Sequence, residues 1–306
     1  MKKKILIALL LSLGLAIACS DSSDSSDDTS EPQNVDKTQN LKAAGASAND
    51  ILSNANFDKL VIEIAYVPGF RPTSTTISNF EDYLNERTFK ENIEVIYNEL
   101  PSPNEEELEL EEIRDLEDDN RTAYNDGSTL AIYIYFADAP SEGDELDEGL
   151  VTLGAVYRNT SMVIYESTIV ELASRSALIT VTDIETATLN HEFGHLFGLV
   201  NLGTDPVNDH EDIQRDDQGE PILGSDGEPL GNDHCNVQGC LMRAEIQFGS
   251  SASRSLVAKG SALTSPCALN GNTMLKLLES RTANGLAIVP VLDAECILDL
   301  QSNGGR

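Results

Sequence analysis

The sequence predicts a mixed α/β fold, α+β in character, with a twisted sheet, one helix that carries the chemistry, and a smaller C-terminal part. Three observations lead there. Runs of branched apolar residues alternate with segments whose apolar positions recur at helical spacing. A long amphipathic segment starts near residue 182. The chain has 306 residues and 40% apolar content, which is enough for a real core.

Residues 1–18 read as an export signal, with Lys2, Lys3 and Lys4, an apolar run from Ile5 to Ile17, and small residues before Cys19. The run is short for a bilayer span. Ala16-Ile17-Ala18-Cys19 resembles a bacterial lipobox, with alanine where leucine is commonest. That resemblance implies that Cys19 is acylated and becomes the mature N-terminus of an exported lipoprotein of the cell envelope, at the outer membrane or cell surface. Residues 19–46 are Ser/Asp-rich and almost free of large apolar side chains, so a flexible tether is expected there.

The folded part is expected to fall into 47–200 and 201–306. "KLVIEIAYVPGF" suits a buried strand, and Ile77, Phe80 and Leu84 mark a helix after it. "NIEVIYNEL" and "TLAIYIYFADA" read as further strands, with the acidic Glu105–Asp119 stretch between them as a solvated helix or loop. Residues 149–166 read as two more strands turning at Arg158-Asn159-Thr160. Near the end, "ALNGNTMLKLLESRT" reads as a helix and "GLAIVPVL" as a short apolar segment.

Charge narrows the partners. Loss of residues 1–18 removes three of 20 basic residues, leaving 17 against 52 acidic ones and a mature net charge of −35. Nucleic acid is excluded as a partner on this balance. With Cys19 given to the lipid, Cys235, Cys240, Cys267 and Cys296 remain. In an exported chain that even number suggests two disulfides, and Cys235–Cys240 with Cys267–Cys296 is favoured because the first pair brackets a tight loop.

The helix expected over 182–199 opens on Thr182-x-x-Glu185, which has the form of a capping box. Leu189, Phe193, Leu196 and Val200 line one face, which is core. His191 and His195 point the other way, one turn apart, where two imidazoles reach a single ion with nitrogen–zinc distances of about 2.0–2.1 Å. Glu192 lies beside them, placed to serve water at that ion. Asn201 stands where a third ligand would follow, and a neutral amide is a poor zinc ligand. The other histidines, His210 and His234, are both open as the third.

"HEFGHLFGLV" followed later by "HCNVQGCLM" resembles the metzincin metallopeptidases, and most of all the archaemetzincin type, whose pattern is His-Glu-x-x-His-x-x-Gly-x-x-His-Cys, four residues, then Cys-x-Met. His191, Glu192, His195 and Gly198 match the first half; His234, Cys235, Cys240 and Met242 match the second. An insertion of 33 residues, 201–233, separates them. The resemblance implies a metzincin-like sheet and helix, His234 as third zinc ligand, Met242 in a methionine turn beneath the metal, and zinc-dependent cleavage of peptide bonds with Glu192 as general base. It also implies that a strand within Val151–Val156 or Met162–Tyr165 forms the cleft rim and pairs with extended substrate.

Archaemetzincins add a second zinc bound by the first cysteine pair and a downstream Cys-x-x-Cys. That second pair is absent here, so disulfides are expected instead. His210, among Asp205, Asp209, Glu211 and Asp212, stays the alternative third ligand, and no regular calcium-loop spacing appears around it. The expected partners are a protein or peptide substrate and the lipid of the anchor, with the chain acting as a monomer. The rival reading is a metal-stabilised surface binding lipoprotein without turnover.

Overall fold

Three central strands order the molecule. In the computed structural model, which describes residues 36–144, 151–216, 218–243 and 271–306, β1 (Lys59–Tyr66), β2 (Asn92–Glu99), β3 (Thr129–Phe136) and β5 (Ser161–Ile164) run parallel. β4 (Gly154–Arg158) pairs antiparallel with β5 and ends a sheet of order β2-β1-β3-β5-β4. β1 and β3 lie inside the sheet and are covered on both faces, which is why they read as unbroken apolar runs. β2, at the edge, alternates exposed with half-buried residues.

One face of the sheet packs Leu60, Ile62 and Ile134 against Phe80 of α2 (Ser74–Arg87) and Phe193 of α5 (Val181–Leu196). The rings of Phe80 and Phe193 meet edge-on at 5.0 Å. The other face packs Tyr133, Tyr135 and Val163 against Ile113 of α3 (Leu110–Asn120). Each fully buried large apolar side chain contributes about 1.5–3 kcal/mol, so the sheet is a stiff platform for α5.

α5 departs from the expected 182–199 at both ends. Its capping box is Thr180 with Asp183, two residues earlier than Thr182 and Glu185. Glu185 instead turns to the start of α2, where it accepts hydrogen bonds from Thr73 N, Thr73 Oγ1 and Thr76 Oγ1. At the C-terminal end Gly198 takes φ +69°, and the Asn303 amide donates to the carbonyls of Phe197 and Gly198. The carbonyls of the C-cap Phe197 and of the glycine after it are satisfied in this way.

The flexible tether expected through residue 46 does not extend to its described part. Lys37–Asn40 forms a 3-10 turn ahead of α1 (Ala48–Leu52), and the buried Asn40 donates to Ala131 O and Thr160 Oγ1. Its polar side chain completes the sheet's own hydrogen bonding, a contact that composition does not reveal. Asn159, in the turn before β5, accepts from Lys42 N and donates to Ser47 Oγ, so this turn anchors the same segment. Residues 1–35, with the expected signal and Cys19, lie outside the described residues.

The acidic Glu105–Asp119 stretch is not wholly solvated either. Glu117 on α3 is buried and pairs with Arg121 at 2.7 Å and Arg158 at 3.0 Å. The last helices are α6 (Gly271–Ala283) and α7 (Ala294–Ser302), and the described residues belong to one compact unit.

Candidate metal centre

α5 is buried all round from Ile184 to Leu196. One side is core; the other turns His191, Glu192 and His195 towards a strand from the far end of the insertion, β7 (Gly231–Cys235). β7 pairs antiparallel with β6 (Glu211–Ile213), and this hairpin returns His234 to the helix. The three imidazoles are buried, with ring centroids 5.0, 5.3 and 5.1 Å apart for the pairs His191–His195, His191–His234 and His195–His234. One ligand atom from each lies within 4.8 Å of the others.

Their tautomers follow from their partners. His191 Nδ1 stands 2.6 Å from Leu241 O, and His234 Nδ1 stands 2.6 Å from Asn232 O. A carbonyl only accepts, so each Nδ1 carries the proton and each Nε2 keeps its lone pair for a ligand. Burial also pushes all three imidazoles down in pKa, His191 to about 4, His234 to about 3 and His195 well below the usual histidine value. They are neutral near pH 7, the form that binds a metal. Three neutral imidazole nitrogens suit a tetrahedral zinc site with one open position.

Close packing fixes the groups around the triad. Glu192 is buried against Gly154 of β4, where an added Cβ would stand 2.7 Å from Glu192 Cγ and 3.1 Å from its Oε1. On the other side Met242 lies under Gly194, whose added Cβ would fall 2.2 Å from Met242 Sδ. Cys235 N donates to Met242 O, closing the turn whose Leu241 carbonyl orients His191. Sequence spacing points to Met242, but neither glycine contact is local enough to read there.

His210 goes elsewhere. It donates through Nε2 to Asp299 Oδ2 at 2.8 Å, and its Nδ1 stands 3.5 Å from Cys235 Sγ. Burial pulls its pKa down, but the hydrogen bonds to Asp299 and Cys235 outweigh this and leave it raised. Asn201 is exposed, with φ +66°, and donates to Glu211 where the insertion leaves the helix end.

The expected Cys235–Cys240 disulfide is not formed. Cys235, Cys240 and Cys296 are buried free thiols, and Cys267 lies outside the described residues. Cys235 is held by Asp293 Oδ2 at 3.0 Å and Cys240 faces Cys296, with 3.5 Å between sulfurs. A cysteine count carries no information on placement, and here His210 and Cys235 lie beside Cys296, which Cys240 faces.

No protein-family model matches the chain, and no curated protein does. Among solved structures, the chain is similar to archaemetzincin from Methanopyrus kandleri, with a TM-score of 0.41 and 15% identity over 80% of this chain and 96% of that one.

Proposed function

We propose that the chain is a zinc-dependent endopeptidase. The observation that carries this reading is the convergence of three buried, neutral imidazoles from two distant segments beside a buried carboxylate, Glu192. His191, His195 and His234 would hold a zinc ion, which would supply Lewis acidity to a carbonyl and to water. Glu192 takes the proton from the attacking water and delivers it to the departing amine. Gly154 leaves the room that this carboxylate occupies, since a Cβ there would meet Glu192 Cγ at 2.7 Å. Met242, under Gly194, supports the helix segment between the two histidines.

β4 is the last strand of its sheet, with no neighbour on its far side among the described residues. β5 is interior, so of the two candidate rim segments we assign the rim to β4, which receives an extended peptide as an added strand. Export and acylation at Cys19 belong to the same reading. Among the described residues no helix is long and apolar enough to cross a membrane.

The test is Glu192→Gln in the full chain, assayed on unstructured protein substrates alongside zinc content. The carboxamide cannot accept the proton, so cleavage should fall about 10²-fold or more with zinc retained. Undiminished cleavage would remove the mechanism. A wild type that holds zinc but cleaves nothing would favour the binding lipoprotein instead.

A further inference from the structure

We infer that the chain carries a second metal centre, a thiolate-rich site for a zinc-class ion built from Cys235, Cys240, Cys296 and His210. The resemblance implied no such site, for want of a downstream Cys-x-x-Cys. Here the fold brings a histidine of the insertion and a cysteine of α7 to the Cys235/Cys240 pair.

The donors come from three parts of the chain. Cys235 ends β7, and Cys240 lies in the turn after it. Cys296 is in the first turn of α7, and His210 precedes β6. Ligand atoms of His210, Cys235, Cys296 and Asp293 lie within 4.8 Å of one another, and Cys240 Sγ is 3.5 Å from Cys296 Sγ. All three cysteines and His210 are buried. Their second shell suits a thiolate site. Val237 N donates to Cys235 Sγ at 3.3 Å and Met242 N to Cys240 Sγ at 3.4 Å. Such donors stabilise anionic sulfur.

Asp299 orients the histidine. It lies one turn beyond Cys296 on α7, buried, and accepts from His210 Nε2 while also accepting from Val207 N. That leaves the lone pair on His210 Nδ1, the nitrogen that faces Cys235. A carboxylate fixing the tautomer of a ligating imidazole is a recurring second-shell arrangement. Asp293 is the harder donor, and its Oδ1 is already occupied as the N-cap of α7, accepting from Cys296 N. Soft thiolate is the better fourth ligand for zinc, so Cys240 is preferred.

The site has a structural consequence for the first centre. Cys235 follows His234 directly, and the 235–242 turn carries the Leu241 carbonyl that holds His191. An ion gripping Cys235 and Cys240 therefore fixes the strand and turn that deliver one imidazole and orient another. His210 ties the insertion to the same point.

The test is metal counting and cobalt substitution on the full chain, purified without chelator, in wild type and in a His191→Ala/His195→Ala variant. We expect two zinc ions per wild-type chain, one surviving in the variant, and near-ultraviolet cobalt–thiolate absorption in both proteins. Because Cys296→Ser puts the fold itself at risk, Asp299→Asn serves as a gentler variant and should weaken the surviving ion about 10–100-fold. An ion count that falls to zero in the His191/His195 variant would overturn the site, as would absence of cobalt–thiolate absorption or a Cys240–Cys296 disulfide in the peptide map. Persistence of this ion does not depend on cleavage, so failure here and failure of the peptidase reading are told apart.

Discussion

Glu192 owes its position to a missing methyl group. With Cβ absent at Gly154, the strand backbone comes down on the carboxylate; a Cβ there would meet Cγ at 2.7 Å and Cδ at 3.0 Å, forcing a buried side chain to move. Misplacement of a reacting group by about 1 Å costs roughly 10²-fold in rate. Gly154→Ala should therefore lower kcat by about that factor while leaving zinc content near the wild-type value, as paired kinetics and metal analysis would show. Loss of zinc in parallel would mean that the glycine serves the cage and not the carboxylate. At this scale the sequence was legible where the chemistry is local. His191, Glu192 and His195 share two turns of one helix, so their spacing alone places them together. The Gly154 contact joins segments about 40 residues apart, and nothing in the strand's pattern reveals it.

Among the elements, α5 shows why local rules reached the helix but misplaced its start. Thr180-x-x-Asp183 and Thr182-x-x-Glu185 both satisfy the capping pattern, and the choice between them is made by tertiary contacts. Glu185 is taken by Thr73 and Thr76, which locks α5 to α2. Beside this cluster Glu166, the first residue of α4 (Glu166–Ser174), is buried. Burial and the neighbouring Glu185 charge push its pKa up to about 10 from 4.5. A carboxyl whose folded pKa is raised binds its proton more tightly in the native state. The stability it confers is complete below about 4.5, declines as pH rises, and is spent by about 10. Denaturant titrations should show stability falling over that window by no more than about 1.4 kcal/mol per pH unit, with Glu166→Gln flattening the alkaline side. An unchanged slope in the variant would place the pH dependence elsewhere. α4 and α7 were not anticipated from sequence: each is only nine residues long, too short for its apolar spacing to stand out.

For the molecule as a whole, composition gave an incomplete account of the two ends. The Ser/Asp-rich N-terminal segment read as tether because it lacks large apolar residues, yet from Lys37 onward it is fixed by polar contacts. Asn40 is the principal one, buried among Asn125, Ala131 and Thr160. Asn40→Ala leaves these partners unsatisfied and should destabilise the fold by about 1–3 kcal/mol, measurable by chemical denaturation; a change near zero would mean that the segment rides on the surface. At the other end, the four-residue gap between Cys235 and Cys240 suggested a bridge, but α7 brings Cys296 and Asp299 into the same pocket over a separation that no spacing rule covers. The insertion is likewise more than a solvated loop, since it places His210 against α7 and returns His234 to α5.

Peptidase activity in this chain requires one ion held by imidazoles of α5 and β7. Anomalous diffraction at the zinc edge from crystals of the full chain tests it most directly. The expected result is a peak bounded by Nε2 of His191, His195 and His234, with Glu192 beside it and His210 outside its ligand shell. Absence of a peak there, or a peak bound by His191 and His195 with His210 in place of His234, would contradict it.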